Sequence, residues 1–190
     1  MTVRRRLTPE VRRDELIGVA TELFATNAYD DVAMEDVAAR ADVSRALLYR
    51  YFPSKRDLFA GVYQLAADQL LDVTRIDPDL PLEPQVVAGL DAHIDYFLAN
   101  RSAVLTANRT LAGDPIIQAI IGDELAVLRE RVLAAQPVDG VARDTLSAVL
   151  MSWLTFVRVL CVDWLAAPAF SRVVLRDVCL GALRGSMAAL

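Results

Sequence analysis

The sequence predicts an all-α protein, with a three-helix N-terminal domain, a helical C-terminal domain and about nine helices in total. No run of residues alternates cleanly enough to indicate a β-strand, whereas several segments space their apolar residues like a helix. Helix start signals recur, as at Thr8-Pro9 and Asp114-Pro115, where a capping side chain precedes a proline. Residues 77–84 contain three prolines and no helical pattern, which indicates a linker.

The first two helices are predicted from their start and stop signals. Helix 1 begins at Thr8-Pro9 and ends near Asn27, where an asparagine can adopt left-handed backbone. Helix 2 covers about 33–40, and Asp31 is the expected cap, which would start the helix one or two residues earlier.

Helices 3 and 4 follow a short turn at 41–43. Helix 3 covers about 44–51, and helix 4 runs from Ser54 to about residue 75. Ser54 and Asp57 have the spacing of a capping box, in which the side chains satisfy backbone amides of the first turn. We therefore expect one domain at 1–53 and another at 54–190, with helix 4 as their connection.

The remaining helices are predicted from apolar stripes and caps. They cover about 84–100, 102–112, 114–135, 141–166 and 169–189.

Composition and charge limit the classes of function. A 190-residue chain that is 55% hydrophobic can bury a proper core. The net charge of −5 argues against a general polyanion binder, but the charge is uneven. Residues 1–60 hold ten basic and ten acidic residues, so the remaining ten and fifteen place the whole deficit in residues 61–190. The first part can therefore present a basic face to a nucleic acid.

A soluble, cytoplasmic protein without a membrane span is expected. The apolar stretch Thr145–Val157 is shorter than the roughly 20 residues of a membrane helix, and no apolar run follows Arg4–Arg6. Cys161 and Cys179 lie in apolar surroundings and are expected to be free thiols in a reducing compartment.

Nothing in the sequence indicates an enzyme. One histidine, two cysteines in apolar settings and no glycine-rich phosphate loop provide no catalytic set. A lone histidine without nearby cysteines also lacks a zinc pattern, so neither a metal nor a cofactor is expected.

Residues 34–59 carry the strongest functional signal. They predict two short helices around a tight turn, followed by the capped start of a third helix. The second of these helices combines apolar residues with Ser44, two arginines and two tyrosines. One of its faces can pack on a domain while the other lies in a DNA major groove.

This segment resembles the DNA-binding domain of the tetracycline-repressor (TetR) family. The resemblance spans about residues 10–60. The matching positions are Leu23-Phe24, Tyr29, Val37-Ala38, Ala41, Val43-Ser44, Leu48-Tyr49, Phe52, Lys55 and Leu58-Phe59. It implies a dimeric transcriptional repressor that a small molecule releases from palindromic double-stranded operator DNA.

Several positions depart from the family pattern. Asp42 stands where glycine is usual, and aspartate tolerates a left-handed turn better than most residues. Leu47 replaces a threonine of the recognition helix, which offers an apolar contact in place of a hydroxyl. Tyr51 stands at the usual histidine. Because of these changes, the resemblance does not predict the operator sequence.

The expected DNA contacts follow from side-chain chemistry. Hydroxyl and ammonium groups suit phosphate oxygens, and arginines can bind guanine edges with two hydrogen bonds. The candidate DNA-binding residues are Ser44, Arg45, Leu47, Tyr49, Arg50, Tyr51 and Lys55. Arg4–Arg6 form either an arm over the minor groove or a disordered tail.

The second domain is expected to bind a small, mostly apolar effector and to form a homodimer. The candidate ligand-binding residues are His93, Phe97, Met151, Trp153 and Phe156, each of which could equally be plain core. The candidate dimer residues on helix 9 are Val174, Val178, Gly181, Ala182 and Gly185, where small residues allow close approach of another helix. The alternative is a helical protein-interaction module without ligand-controlled DNA binding.

Overall fold

The computed structural model describes residues 8–77, 79–136 and 140–189. Over these ranges the chain forms nine α-helices and no β-strand, which confirms the predicted fold class. The helices are α1 (Pro9–Thr26), α2 (Met34–Arg40), α3 (Arg45–Tyr51), α4 (Lys55–Val73), α5 (Leu82–Ala99), α6 (Arg101–Leu105), α7 (Pro115–Ala134), α8 (Gly140–Ala166) and α9 (Arg172–Met187).

The chain divides into two compact units, Met1–Leu65 and Ala66–Leu190. The division falls inside α4, the helix that was expected to connect the domains. Residues Lys55–Leu65 of this helix therefore belong to the first unit, and Ala66–Val73 belong to the second.

Helix caps in the first unit follow the sequence signals at two places. The Thr8 hydroxyl accepts a hydrogen bond from the Val11 amide, and Pro9 is the first residue of α1. The Ser54 hydroxyl accepts from the Asp57 amide at 3.1 Å, as predicted, whereas the Asp57 carboxylate accepts from this hydroxyl at 2.7 Å rather than from a backbone amide. Because this bond favours the charged form, and Arg56 adds to it, the pKa of Asp57 is lowered.

Two local predictions in the first unit are wrong. Asn27 is extended (φ −127°, ψ 155°) rather than left-handed, because its side chain ends α1 by donating to the Leu23 carbonyl. Asp31 does not cap α2. It ends a 3₁₀ turn at Tyr29–Asp31, and Ala33 precedes α2 without any side-chain cap.

The core of the first unit is aromatic. Phe24 lies 5.2 Å from Phe59 between ring centroids, Tyr29 packs against both, and Phe59 stacks on Tyr63. Leu16, Leu48 and Leu58 are fully buried beside them, so three helices share one core. This packing fixes the orientation of the short α3, which would not be stable as an isolated helix.

In the second unit, α8 is the central helix and packs against α5, α6, α7 and α9. Helix α5 begins at Leu82, two residues before the predicted start. The Gln85 side chain bonds backbone groups of Asp77, Leu80 and Pro81, and thereby orders the preceding loop. Asp114 caps α7 as predicted, because its carboxylate accepts from the amides of Ile116 and Ile117.

Helix α6 is shorter than predicted. It ends at Leu105 and continues into a π-helical turn at Thr106–Thr110. Insertions of this kind inside helices widen the backbone and often mark functional sites.

Helix α8 is long and apolar enough to cross a membrane by length and composition alone, with a mean hydropathy of 1.8. The predicted span of 141–166 matches its observed bounds within one residue. Its buried side contains aliphatic residues and also Arg158, which forms a buried ion pair with Glu124. Buried packing on four neighbouring helices accounts for its composition, as in the core helix of a globular domain.

Candidate nucleic-acid interface and effector cavity

The turn between α2 and α3 depends on Asp42. Its φ of 49° is the only positive value for a non-glycine residue in the described ranges, and confirms the expectation for this position. The Val43 amide donates to the Ala38 carbonyl at 3.0 Å, which closes the end of α2 in the manner of a Schellman motif. This turn sets the direction in which α3 leaves the domain.

Helix α3 is anchored by one face and exposes the other. Ser44 is its cap, with a hydroxyl oxygen that accepts from the Leu47 amide at 3.2 Å and retains a hydroxyl proton to donate. Leu48 and the following Phe52 are buried. Of the predicted DNA-binding residues, Ser44, Arg45 and Arg50 are exposed, and Leu47, Tyr49, Tyr51 and Lys55 are half-buried.

Both arginines of α3 already have partners at the protein surface. Arg45 pairs with Glu35 at 2.8 Å and lies 5.4 Å from the centre of the Tyr49 ring. Arg50 lies 5.5 Å from the Tyr51 ring centre. Because the side chains of Arg45 and Glu35 are 64% and 50% exposed, their ion pair contributes at most about 1 kcal/mol. A phosphate or a base edge can replace such a partner at little cost.

Lys55 is held by the protein itself. Its ammonium donates to the carbonyls of Tyr29, at 2.9 Å, and Asp30, at 3.2 Å, and lies 4.6 Å from the Tyr29 ring centre. An ammonium has three N–H donors, so one remains for a phosphate. Lys55 thus joins the start of α4 to the turn after α1.

The predicted arm at Arg4–Arg6 lies outside the described residues.

The second unit contains a cavity of about 70 Å³. Its wall comes from the loop after α4 and from α5, α7 and α8, and is glycine or aliphatic apart from four residues: Thr74, Gln85, His93 and Trp153. Thr74 donates to the Leu70 carbonyl, Gln85 orders the loop before α5, and the Trp153 indole donates to the Cys179 carbonyl at 2.8 Å. Three of the four thus use their donors within the protein.

His93 differs from the other three. Its side chain is buried, and its Nε2 atom has no hydrogen-bond partner among the residues that the structure describes. Burial, with a smaller contribution from the positive charge of Arg158, lowers the pKa of His93 to about 3. The imidazole is therefore neutral at ordinary pH, and its ring lies 4.0 Å from that of Phe97.

A buried ion pair lies on α7 and α8. The Arg158 guanidinium donates to the Glu124 carboxylate at 2.8 Å, and the two side chains are 5% and 2% exposed. Arg158 also donates to the Asn108 side chain in the π-helical turn and lies over the Phe97 ring. Burial raises the pKa of Glu124, although Arg158 opposes this shift. In the sequence, Arg158 directly follows the apolar stretch Thr145–Val157, and no local pattern indicates Glu124 as its partner.

The candidate ligand-binding residues lie at different places. His93 and Trp153 line the cavity. Phe97 is buried beside His93 but is not part of the cavity wall. Met151 is half-buried away from the cavity, and Phe156 is 40% exposed on an outer groove with Trp153, Ala182 and Ser186.

The candidate dimer residues on α9 form an open face within the single chain. Val174 and Val178 are 45% and 44% exposed, and a Cβ added at Gly181 or Gly185 would meet no atom within 4 Å. Ala182 is half-buried. Phe156 and Val159 of α8 are exposed as well. We call these exposed residues of α8 and α9 the α8–α9 face.

The two cysteines are buried and free, as expected. They are neighbours, since the two side chains share a hydrogen bond. That bond and burial raise the pKa of the Cys161 thiol, so this sulfur is not a nucleophile at ordinary pH.

Comparison with known proteins shows which family the first unit resembles. Residues 16–62 match the family model described as bacterial regulatory proteins, tetR family. The transcriptional activator FasR of Mycolicibacterium smegmatis is 37% identical over 70 residues, which cover 37% of this chain and 32% of that protein. The nucleoid occlusion factor SlmA of Idiomarina loihiensis is 31% identical over 108 residues, 56% and 53% of the two chains. The chain thus spans about a third to a half of the length of these relatives.

The fold is shared along nearly the whole chain. A tetR-family transcriptional regulator from Streptomyces coelicolor superposes with a TM-score of 0.82 at 24% identity, covering 96% of this chain and 83% of that one. The fatty acid degradation regulator FadR from Bacillus halodurans gives 0.70 at 16% identity, with 94% and 96% covered. These homologues are regulators rather than enzymes. Residues 16–62 are thus similar to the helix-turn-helix DNA-binding domain of tetR-family regulators, and the whole described chain shares the fold of proteins of that family.

Proposed function

We propose that this regulator is a dimeric repressor that leaves a palindromic operator when a small, mostly apolar molecule binds its second unit. The observation that carries the DNA-binding part is α3, a helix anchored by Leu48 that exposes a row of hydroxyl, aromatic and arginine side chains. The tetR-family match over residues 16–62 supports the same part.

On DNA, the α3 residues divide into two roles. Ser44, Tyr49 and Tyr51 bind phosphates through hydroxyl groups, and Lys55 uses its remaining N–H in the same way. Arg45 leaves Glu35 and binds a guanine edge, since it lies at the start of the helix and its only ion-pair partner among the described residues is exposed. Leu47 offers an apolar contact to a thymine methyl group. Arg50 contributes charge rather than base recognition.

Dimerisation runs through the α8–α9 face. Its exposed valines and open glycines would remain in water in a monomer, whereas a second copy related by a two-fold axis would bury them in a four-helix arrangement. The two recognition helices would then lie about one DNA turn apart, roughly 34 Å.

The effector binds the cavity around His93 and Trp153 and enlarges it. Ligand pockets are commonly of about 300–1,000 Å³, so a cavity of about 70 Å³ must open before a drug-sized molecule fits. Its wall includes Thr74 and Ile76, which directly follow α4. A ligand can weaken DNA binding only if it binds more tightly to a form of the protein in which α4 is displaced.

Arg131 supplies the coupling from the cavity to α4. This residue of α7 donates to the carbonyls of Leu71 and Thr74 at the end of α4. Leu128, one turn before it on α7, and the adjacent Val132 line the cavity. Outward movement of α7 would therefore pull the end of α4, which continues to Lys55 in the DNA-binding unit.

The location follows from the role. A regulator of this kind works where the DNA is, so we propose a cytoplasmic protein.

Repression rather than activation is part of the proposal, and the FasR relative is itself described as an activator. A reporter gene behind the operator distinguishes the two by the direction of its change when the regulator is removed.

The DNA-binding proposal is tested by selection of genomic fragments followed by gel shift over a range of salt concentrations. We expect one inverted repeat to bind far more tightly than bulk DNA, with affinity that falls steeply as salt rises. Tyr49→Phe removes one hydroxyl and should weaken binding to all sequences. Equal binding of all fragments, or binding insensitive to salt, would instead favour the helical protein-interaction module.

The dimer proposal is tested with Gly185→Arg. The new side chain has open space within its own chain but would place a cation in the buried dimer interface. We expect a folded monomer that has lost operator binding. Gly122→Arg on α7 is the matched control, since a Cβ there also meets no atom within 4 Å. A Gly185→Arg protein that stays dimeric in analytical ultracentrifugation would move the interface elsewhere.

A further inference from the structure

Among the described residues that line the cavity in the second unit, His93 is the one with a buried side-chain polar atom that has no partner. His93 is 7% exposed and its Nε2 atom, in the part of the chain that the structure describes, has no hydrogen-bond partner. The residue lines the cavity beside Val86, Gly89 and Leu90, all on α5. A buried polar atom without a partner costs free energy, so a partner supplied from inside the cavity would remove that cost.

The rest of the wall restricts the charge of that partner. Among the described residues, none with a formal charge lines the cavity. Arg158, whose positive charge acts on His93, is already paired with Glu124 at 2.8 Å. A carboxylate inside the cavity would therefore be buried without a counter-ion, which is much more costly than burial of a neutral group.

We propose that the cavity takes an uncharged molecule with an apolar body and a single hydroxyl or carbonyl oxygen, which forms a hydrogen bond with Nε2 of His93. This inference rests on the proposed effector site and adds the chemical class of its ligand. A hydroxyl donates to an unprotonated Nε2, and a carbonyl accepts from a protonated one, so the same nitrogen serves either group. The aliphatic wall contributes affinity without selecting the head group.

The test uses four six-carbon probes, namely hexan-1-ol, hexan-2-one, hexane and hexanoate. Binding is measured by calorimetry on the full-length protein without DNA, and by the fluorescence of Trp153, which lines the cavity. Replacing His93 by leucine should lower the affinity for the alcohol and for the ketone by about tenfold or more, the effect of one buried hydrogen bond. The affinity for hexane should not fall. Hexanoate should bind more weakly than the alcohol to the unmodified protein.

Two variants separate recognition from packing. Val86→Ala changes a wall residue on the same helix as His93 and should change the affinity for all four probes alike. His93→Gln retains a hydrogen-bonding side chain and should recover part of the preference for the neutral polar probes. This variant also keeps the test available if His93→Leu does not fold.

The outcomes distinguish this inference from the proposed function. Tightest binding of hexanoate, or equal loss of hexane and hexan-1-ol in His93→Leu, would overturn the head-group inference while the effector cavity stands. Failure of all four probes to bind up to their solubility would show that the cavity is not an effector site. It would overturn both the head-group inference and the effector part of the proposed function.

Discussion

His93 should make the stability of the second unit depend on pH, and replacing it by leucine should abolish that contribution. Its pKa is lowered to about 3 in the folded protein, from 6.5 for an unperturbed histidine, chiefly by burial. Below pH 6.5 the unfolded chain takes up a proton at this residue while the folded chain does not. Protonation therefore favours unfolding, so the stabilisation present above pH 6.5 is lost progressively as the pH falls towards 3.

The size of the effect follows from the shift. Each pH unit below 6.5 changes the free energy of unfolding by about 1.4 kcal/mol. Between pH 7.5 and 5.0 the unmodified protein should therefore lose about 2 kcal/mol relative to His93→Leu, or roughly 1 M in the urea midpoint. Arg158 on α8 and Glu124 on α7 are present in both proteins, so their own titration cancels in the difference.

Urea unfolding followed by tryptophan fluorescence is the suitable assay. Both tryptophans, Trp153 and Trp164, belong to the second unit, so the signal reports that unit. Protein concentration must be held constant, because dimerisation also stabilises the folded state. His93 is the sole histidine, so its imidazole can be followed directly by NMR. A difference between the two proteins that stays constant from pH 5.0 to 7.5 would refute a buried, neutral His93.

Four other substitutions have expected outcomes. Gly18→Ala should stabilise the protein by up to about 1 kcal/mol in thermal unfolding, since its Cβ meets no atom within 4 Å and alanine favours helix; Gly61→Ala, whose Cβ would lie 3.3 Å from two side chains, should gain less, and an equal gain would contradict the tight packing. Glu124→Gln should lower the free energy of unfolding by about 3–5 kcal/mol because the buried Arg158 loses its counter-ion, and a neutral result in urea would indicate a hydrated pair. Arg45→Ala should reduce operator discrimination by about 1–3 kcal/mol in competition gel shifts, whereas unchanged discrimination would place this side chain in solvent.

The first unit was largely predictable because its signals are local. The caps at Thr8 and Ser54 depend on residues within three positions of one another, and the structure confirms them. Asp42 was likewise expected in left-handed backbone from its place in the turn. Where a prediction there was wrong, as for Asn27, two local hydrogen-bonding options competed and the sequence did not decide between them.

The second unit depended on tertiary structure. Apolar spacing marked His93, Trp153 and Phe156 as residues of helix faces, but only packing placed the first two at a cavity and the third on the outside. The pairing of Arg158 with Glu124 joins residues 34 positions apart, and no local pattern specifies such a contact. The sequence by itself determined the helices and the DNA-binding motif, because caps and apolar periodicity act over one or two turns. The depth of each side chain and the partner of each buried charge were decided only when distant helices came together.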